Sequence, residues 1–179
     1  MRTNWTILII AIIILSVFAA CNNSGSTGTK GEKIVQEADG TISLKLEKAA
    51  LYNCESNPAN NTAEWSFVVS KAGTYKVWLS TATTDSMNLR YNSPVKINLQ
   101  DERLEVRPVG NKIVLNASEV KYPYFRADSY MGTFYIEQPG EYSIQVINEK
   151  VIASDKTEET DKNTANTRLM SVILTPMTR

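Results

Sequence analysis

The chain has 179 residues, enough for one domain with a sizeable core. Nineteen Lys and Arg balance nineteen Asp and Glu, so no excess charge draws the protein to nucleic acid or to an anionic membrane surface. Histidine is absent, which removes Ser-His-Asp and Cys-His catalysis and histidine-ligated metals. Asp, Glu, Lys, Tyr and Cys remain as candidate acids, bases or nucleophiles.

Residues 1–20 have the form of a targeting segment and stand outside the fold. Arg2 gives a short positive start, Ile7–Val17 is an almost unbroken apolar run, and Phe18-Ala19-Ala20-Cys21 follows. This start resembles a bacterial lipoprotein signal. The likeness implies cleavage before Cys21, a diacylglycerol on its thiol and an acylated amino group, and Asn22 beside it favours the outer membrane over inner-membrane retention. An uncleaved transmembrane anchor is the alternative reading of the same run. Either tethers the protein to a membrane, and two or three acyl chains hold more firmly than one. Without residues 1–20 the chain keeps 159 of its 179 residues and loses only Arg2 among its charges, leaving a net of −1. Asn22–Lys33, NNSGSTGTKGEK, has no apolar anchor and reads as a flexible leash. The expected organisation is a signal over 1–20, acylated Cys21 with a linker over 21–38, and one domain over 39–179.

Within that domain Thr41–Lys48 alternates Ile42, Leu44 and Leu46 against polar residues and predicts a first strand. Asn53–Thr62, rich in Asn, Ser and Pro, breaks the pattern. Glu64–Ala82 then carries two alternating runs, Trp65/Phe67/Val69 and Tyr75/Val77/Leu79, on either side of Gly73, and predicts a β-hairpin whose inner face seeds the core. A polar loop over Thr83–Ser93 leads to Val95, Ile97 and Leu99, which turn at Asp101-Glu102 into Leu104 and Val106. Short strands follow over Lys112–Asn116 and Gly132–Glu137. A turn at Gln138–Glu141 precedes Tyr142, Ile144 and Val146. Val151–Arg168 reads as a mostly polar surface loop, with Asp155, Glu158, Glu159 and Asp161 as its solvated acidic group, and Leu169–Thr175 as the last strand. About nine short strands without sustained helical periodicity predict an all-β antiparallel β-sandwich. If Cys21 is acylated, Cys54 has no partner within the chain: it is then a buried apolar residue or an unpaired, reactive thiol.

The order W-x-F-x-V (Trp65–Val69), AGTYKVWL (Ala72–Leu79), PVKINL (Pro94–Leu99), MGTFYIEQPGEYSIQVI (Met131–Ile147) and SVILTP (Ser171–Pro176) resembles the galactose-binding-like jelly rolls. These include carbohydrate-binding modules of families 6 and 35 and sandwich domains of bacterial glycosidases such as α-L-fucosidases. The likeness spans roughly Gly40 to Pro176. It implies a sugar site at one end of the sandwich, where an aromatic face packs on the C–H face of a sugar and nearby polar groups take its hydroxyls. The residues it points to are Trp78, Tyr91, Tyr122, Tyr124 and Tyr130, with Arg126 and Asp128 as polar partners and Asn163 and Asn166 before the last strand. Ordinary packing is the competing reading for each aromatic, and Trp65 and Tyr75 read as core. The likeness also implies a structural calcium held by a Glu near the first strand and an Asp in the last. Glu47 matches the first, but Met170 and Ser171 stand where the Asp belongs, and calcium prefers several charged oxygen ligands. No cofactor is therefore expected.

The leading expectation is a membrane-tethered, non-catalytic carbohydrate-binding lipoprotein module in the bacterial cell envelope. A structural or assembly lipoprotein that meets an envelope protein is the alternative, because a flat aromatic patch suits a protein partner equally well. A glycoside hydrolase is disfavoured, since no tight pair of carboxylates stands out.

Overall fold

The computed structural model describes residues 33–85, 87–152 and 167–177. Among them are eleven strands: β1 (Ile34–Val35), β2 (Ile42–Lys45), β3 (Ala50–Tyr52), β4 (Thr62–Val69), β5 (Gly73–Thr83), β6 (Val95–Leu99), β7 (Glu102–Val106), β8 (Lys112–Val114), β9 (Phe125–Ile136), β10 (Gly140–Ile147) and β11 (Thr167–Pro176). The first sheet runs β1-β4-β10-β6-β7, with β3 also on β4. The second runs β2-β11-β5-β9-β8. All pairings are antiparallel except β1 with β4. The two sheets pack their apolar faces together, giving the all-β sandwich that the alternation predicts.

The core follows from the period of two. Ala63, Trp65, Phe67 and Val69 of β4, Ile144 and Val146 of β10, and Val95 and Ile97 of β6 point inward from the first sheet. Tyr75, Val77 and Leu79 of β5, Val172 and Leu174 of β11, and Phe134 and Ile136 of β9 meet them from the second. Trp65 reaches across the sandwich, and its indole N–H donates to the Lys45 carbonyl at 2.7 Å.

The apolar runs sit where expected, but two expected turns are something else. The strands flanking Gly73 do not pair: β4 belongs to the first sheet and β5 to the second, so Ser70–Ala72 arches from one layer to the other. The same holds for β9 and β10 around Gln138-Pro139. Two alternating runs joined by a short turn bury their apolar faces equally well side by side or face to face, and here they are face to face. Gln36 fixes the first arch. Its side-chain oxygen accepts from the Ser70 and Lys71 backbone N–H groups at 2.8 and 3.1 Å, and its amide donates to the Tyr75 hydroxyl at 2.8 Å. The β6–β7 connection is a true hairpin.

Three further differences bear on function. Paired structure begins at Ile34, ahead of residue 39, because β1 lies along β4. β9 starts at Phe125 rather than near Gly132, so Arg126, Asp128 and Tyr130 belong to a strand and not to a loop. Cys54 is buried as expected but forms a disulfide whose partner lies outside the described residues, which corrects the expectation of an unpaired thiol.

Candidate functional site

Strand register places the side chains of the second sheet's outer face in rows. Lys76 stands between Thr133 and Thr175, Trp78 between Tyr130 and Ile173, Ser80 between Asp128 and Ser171, and Ala82 between Arg126 and Arg168. Lys45 of β2 extends the Ser171 row, and Lys112 of β8 lies beyond Asp128. Tyr135 is opposite Thr74, toward the end with the short arches.

The pairing of Trp78 with Tyr130 depends on a bulge. Gly132 is opposite Val77 but Tyr130 is opposite Trp78, so Met131 is an extra residue, turned into the core. Gly132 has φ +130, and a Cβ there would come within 2.9 Å of the Leu104 side chain on β7 of the first sheet. A glycine at this point lets the two layers approach and lets β9 shift its parity. The result is an aromatic pair on the surface, with ring centroids 5.4 Å apart and planes at 56°. Trp78 is half-buried and Tyr130 is 41% exposed. The Asn111 side chain accepts from the Tyr130 backbone N–H at 2.8 Å and ties β9 to the preceding loop.

Beside the rings, Asp128 is only 6% exposed. Its carboxylate accepts from the Ser80 hydroxyl at 2.7 Å and forms an ion pair with the Arg126 guanidinium at 3.1 Å. Arg126 also donates to Glu119 at 2.9 Å. The Glu119 carboxyl is held below its ordinary range, chiefly by its own backbone N–H and further by Arg126 and the Ser118 hydroxyl, against a smaller opposing effect of burial. At the far edge of this cluster the Arg168 guanidinium lies 5.5 Å from the centre of the Tyr124 ring. Asp128 is thus a fixed acceptor within a network, suited to holding a polar group.

The structure gathers Trp78, Tyr124, Arg126, Asp128 and Tyr130 on one face, and separates the other expected site residues. Tyr91 is 6% exposed, packs in the core, and shares a 2.8 Å hydrogen bond with the Thr81 hydroxyl. Burial pushes its own hydroxyl far up, the Thr81 bond opposes this and the Glu149 charge adds to it. Tyr91 is therefore a core residue and not a ligand platform. Tyr122 is 98% exposed on the loop before β9. Asn163, Asn166 and Cys21, with the acidic group at 155–161, lie outside the described residues. Glu47 is exposed in the single helical turn after β2, and no group of three carboxylate or cysteine side chains suited to a metal occurs among the described residues.

Sequence reasoning missed Lys112, Tyr135, Arg168 and Ile173 as members of this face. The parity signal was present for Lys76 with Trp78. It failed across β11, where the pairing with β5 slips between Leu169 and Ser171. Elsewhere, a concavity of about 210 Å³ lies at the short-arch end between Gln36, Lys71, Tyr75 and Pro176. Gln36 there is fully engaged in bonds that hold the arch.

No protein-family model matches the chain, and no curated protein matches it. Among solved structures, the chain is similar to an α-L-fucosidase from Vibrio sp. strain EJY3 with a TM-score of 0.62 and 16% identity, over 80% of this chain and 24% of the enzyme. That likeness shows a shared sandwich fold, and this chain spans about a quarter of the enzyme. A β-(1,4)-mannanase with a CBM35 module from Podospora anserina matches at 0.46 and 12% identity over 79% of this chain and 28% of that one. The insecticidal crystal protein Cry2Aa matches at 0.48 and 11% identity over 79% and 22%. At these scores neither adds to the assignment.

Proposed function

We propose that this chain is a non-catalytic carbohydrate-binding module, tethered to the bacterial envelope through Cys21. The observation that carries the reading is the Trp78–Tyr130 pair set open on a sheet face beside Asp128, whose carboxylate is held in place by Ser80 and Arg126. Apolar ring faces next to a fixed acceptor match the two sides of a sugar, its C–H face and its hydroxyls. The sandwich shared with an α-L-fucosidase agrees with this. Affinity electrophoresis in gels containing soluble polysaccharides tests it. Retardation by at least one glycan, lost in Trp78→Ala and Tyr130→Ala proteins that melt like wild type, is the expected result. Equal mobility in every gel refutes the reading.

Tethering has its own test. One sulfur cannot carry both a disulfide and a thioether, and the chain has two cysteines. Mass spectrometry of the membrane-extracted protein is expected to show a diacylglycerol on Cys21. An intact disulfide without lipid refutes the anchor.

A second reading, an envelope lipoprotein that docks on a protein, rests on the exposed apolar side chains of Val109 (65%) and Leu115 (70%) flanking β8. A stoichiometric partner retained in excess glycan and lost with Leu115→Ser supports it.

A further inference from the structure

The outer faces of the two sheets differ in charge, although the chain as a whole has none to spare. The second sheet's outer face carries Lys45, Lys76, Lys112, Arg126 and Arg168 on its strands against the single carboxylate of Asp128. Among the described residues only Arg126 of these five is within ion-pair distance of a carboxylate, and it serves both Asp128 and Glu119. Arg168, instead of a carboxylate, has the Tyr124 ring beside it. The cations lie on both sides of the aromatic pair. Lys76 is two residues from Trp78 along β5, about 7 Å, and the Arg168 row is four residues the other way, about 13 Å, at the usual rise per residue.

Resting on the carbohydrate reading above, we propose that this face binds a polyanionic glycan that runs along β5. A sugar ring stacks on Trp78 and Tyr130, while carboxylate or sulfate groups on the flanking sugars pair with Lys76 on one side and Arg168 on the other. Ammonium and guanidinium groups that have no carboxylate within ion-pair distance among the described residues, set on an aromatic face, favour an anion, and a net-neutral chain offers only this local attraction. The spacing of charge favours a glycan over nucleic acid. A nucleic acid carries a phosphate at every nucleotide and would lay some of them over Asp128 and Glu119. A glycan with charge on only some of its sugars sets a neutral, hydroxyl-bearing ring there.

The test is isothermal titration of the whole chain with hyaluronan and κ-carrageenan, which carry a carboxylate and a sulfate respectively on alternate sugars, and with neutral galactomannan, using single-stranded DNA and phosphatidylglycerol vesicles as controls. Proteins are wild type, Trp78→Ala, and the double variant Lys76→Glu/Arg168→Glu, all checked by thermal melting; both charge changes are at exposed positions. The expected result is binding to at least one of the two polyanionic glycans. It weakens at least about tenfold in the double variant and in Trp78→Ala, and falls with salt. The two glycans tell carboxylate from sulfate. Binding of galactomannan that is indifferent to the charge reversal overturns this inference and leaves the carbohydrate reading standing. Equal binding of DNA or vesicles that ignores Trp78→Ala overturns both, as does silence toward every probe.

Discussion

The outer faces of the two sheets are built by the same alternation and end up unlike. On the first, polar groups settle one another: Glu64 accepts from Ser143 and Gln145 at 3.1 and 3.0 Å, Arg103 pairs with Glu105 at 2.7 Å, and Lys33 pairs with Glu141. No tryptophan stands among its outward residues. On the second, Trp78 is turned outward, and four of five cations have no carboxylate within reach among the described residues. Inward positions are dictated by the need to bury apolar area, and they match across the layers. Outward positions are released from that need. A face whose charges are mostly paired suits solvent, and one with several cations away from any described carboxylate suits a partner.

Trp65 and Trp78 give the sharpest way to break this contrast. Trp65→Ala, in the core of the first sheet, is expected to cost about 3–5 kcal/mol in urea unfolding. Trp78→Ala, on the second sheet's outer face, should cost under about 1 kcal/mol and act on glycan binding instead. Similar stability losses for the two would erase the distinction between core and site. Gly132→Ala forces a Cβ against Leu104 and should destabilise by about 1–3 kcal/mol. In any protein that remains folded, the Trp78–Tyr130 pair should be displaced, read as a change in near-ultraviolet circular dichroism. Next come the carboxylates. Asp128→Asn leaves Arg126 short of one charge partner and should cost about 1–2 kcal/mol. Glu64→Gln, on the first sheet's outer face, should stay within about 0.5 kcal/mol.

The smallest effect is one of pH. Glu119 has a folded pKa below its ordinary value of 4.5, so its contribution is complete above that value and lost as pH falls through the lower, folded one. Its side chain is 43% exposed, so the difference between wild type and Glu119→Gln should be a few tenths of a kcal/mol near neutrality. It should vanish in acid. A difference that persists there would mean that packing, and not the pairing with Arg126, gives Glu119 its part.

The sequence made the layers legible but not their pairing. Trp65, Phe67, Tyr75, Val77, Leu79, Ile97, Ile144 and Val146 all declare an inward face by parity, and all are buried. Parity is silent on whether neighbouring strands share a sheet, so the arches at Ser70–Ala72 and Gln138-Pro139 read as hairpins. The front half of β9, Phe125–Tyr130, looks too polar for a strand because Arg126 and Asp128 neutralise each other on its outer side, a pairing that only the fold creates. Tyr91 misled for the opposite reason. Its neighbours are polar, yet the Thr81 hydroxyl satisfies its own inside the core. Of the candidate face, the ring pair and its two charged neighbours were visible in the sequence. Arg168 and Ile173 were hidden by one slipped register on β11.

That strand has a consequence for how the protein comes into being. β11 is wedged between β2 and β5, so the place beside the β2 edge is filled by residues more than a hundred positions downstream of that edge. No stretch that stops short of Thr167 contains two finished layers, and translation must pass Pro176 before the body can close. Until then β2 has no neighbour in its sheet and β5 has one open edge, so completion of the second layer waits on that one late segment.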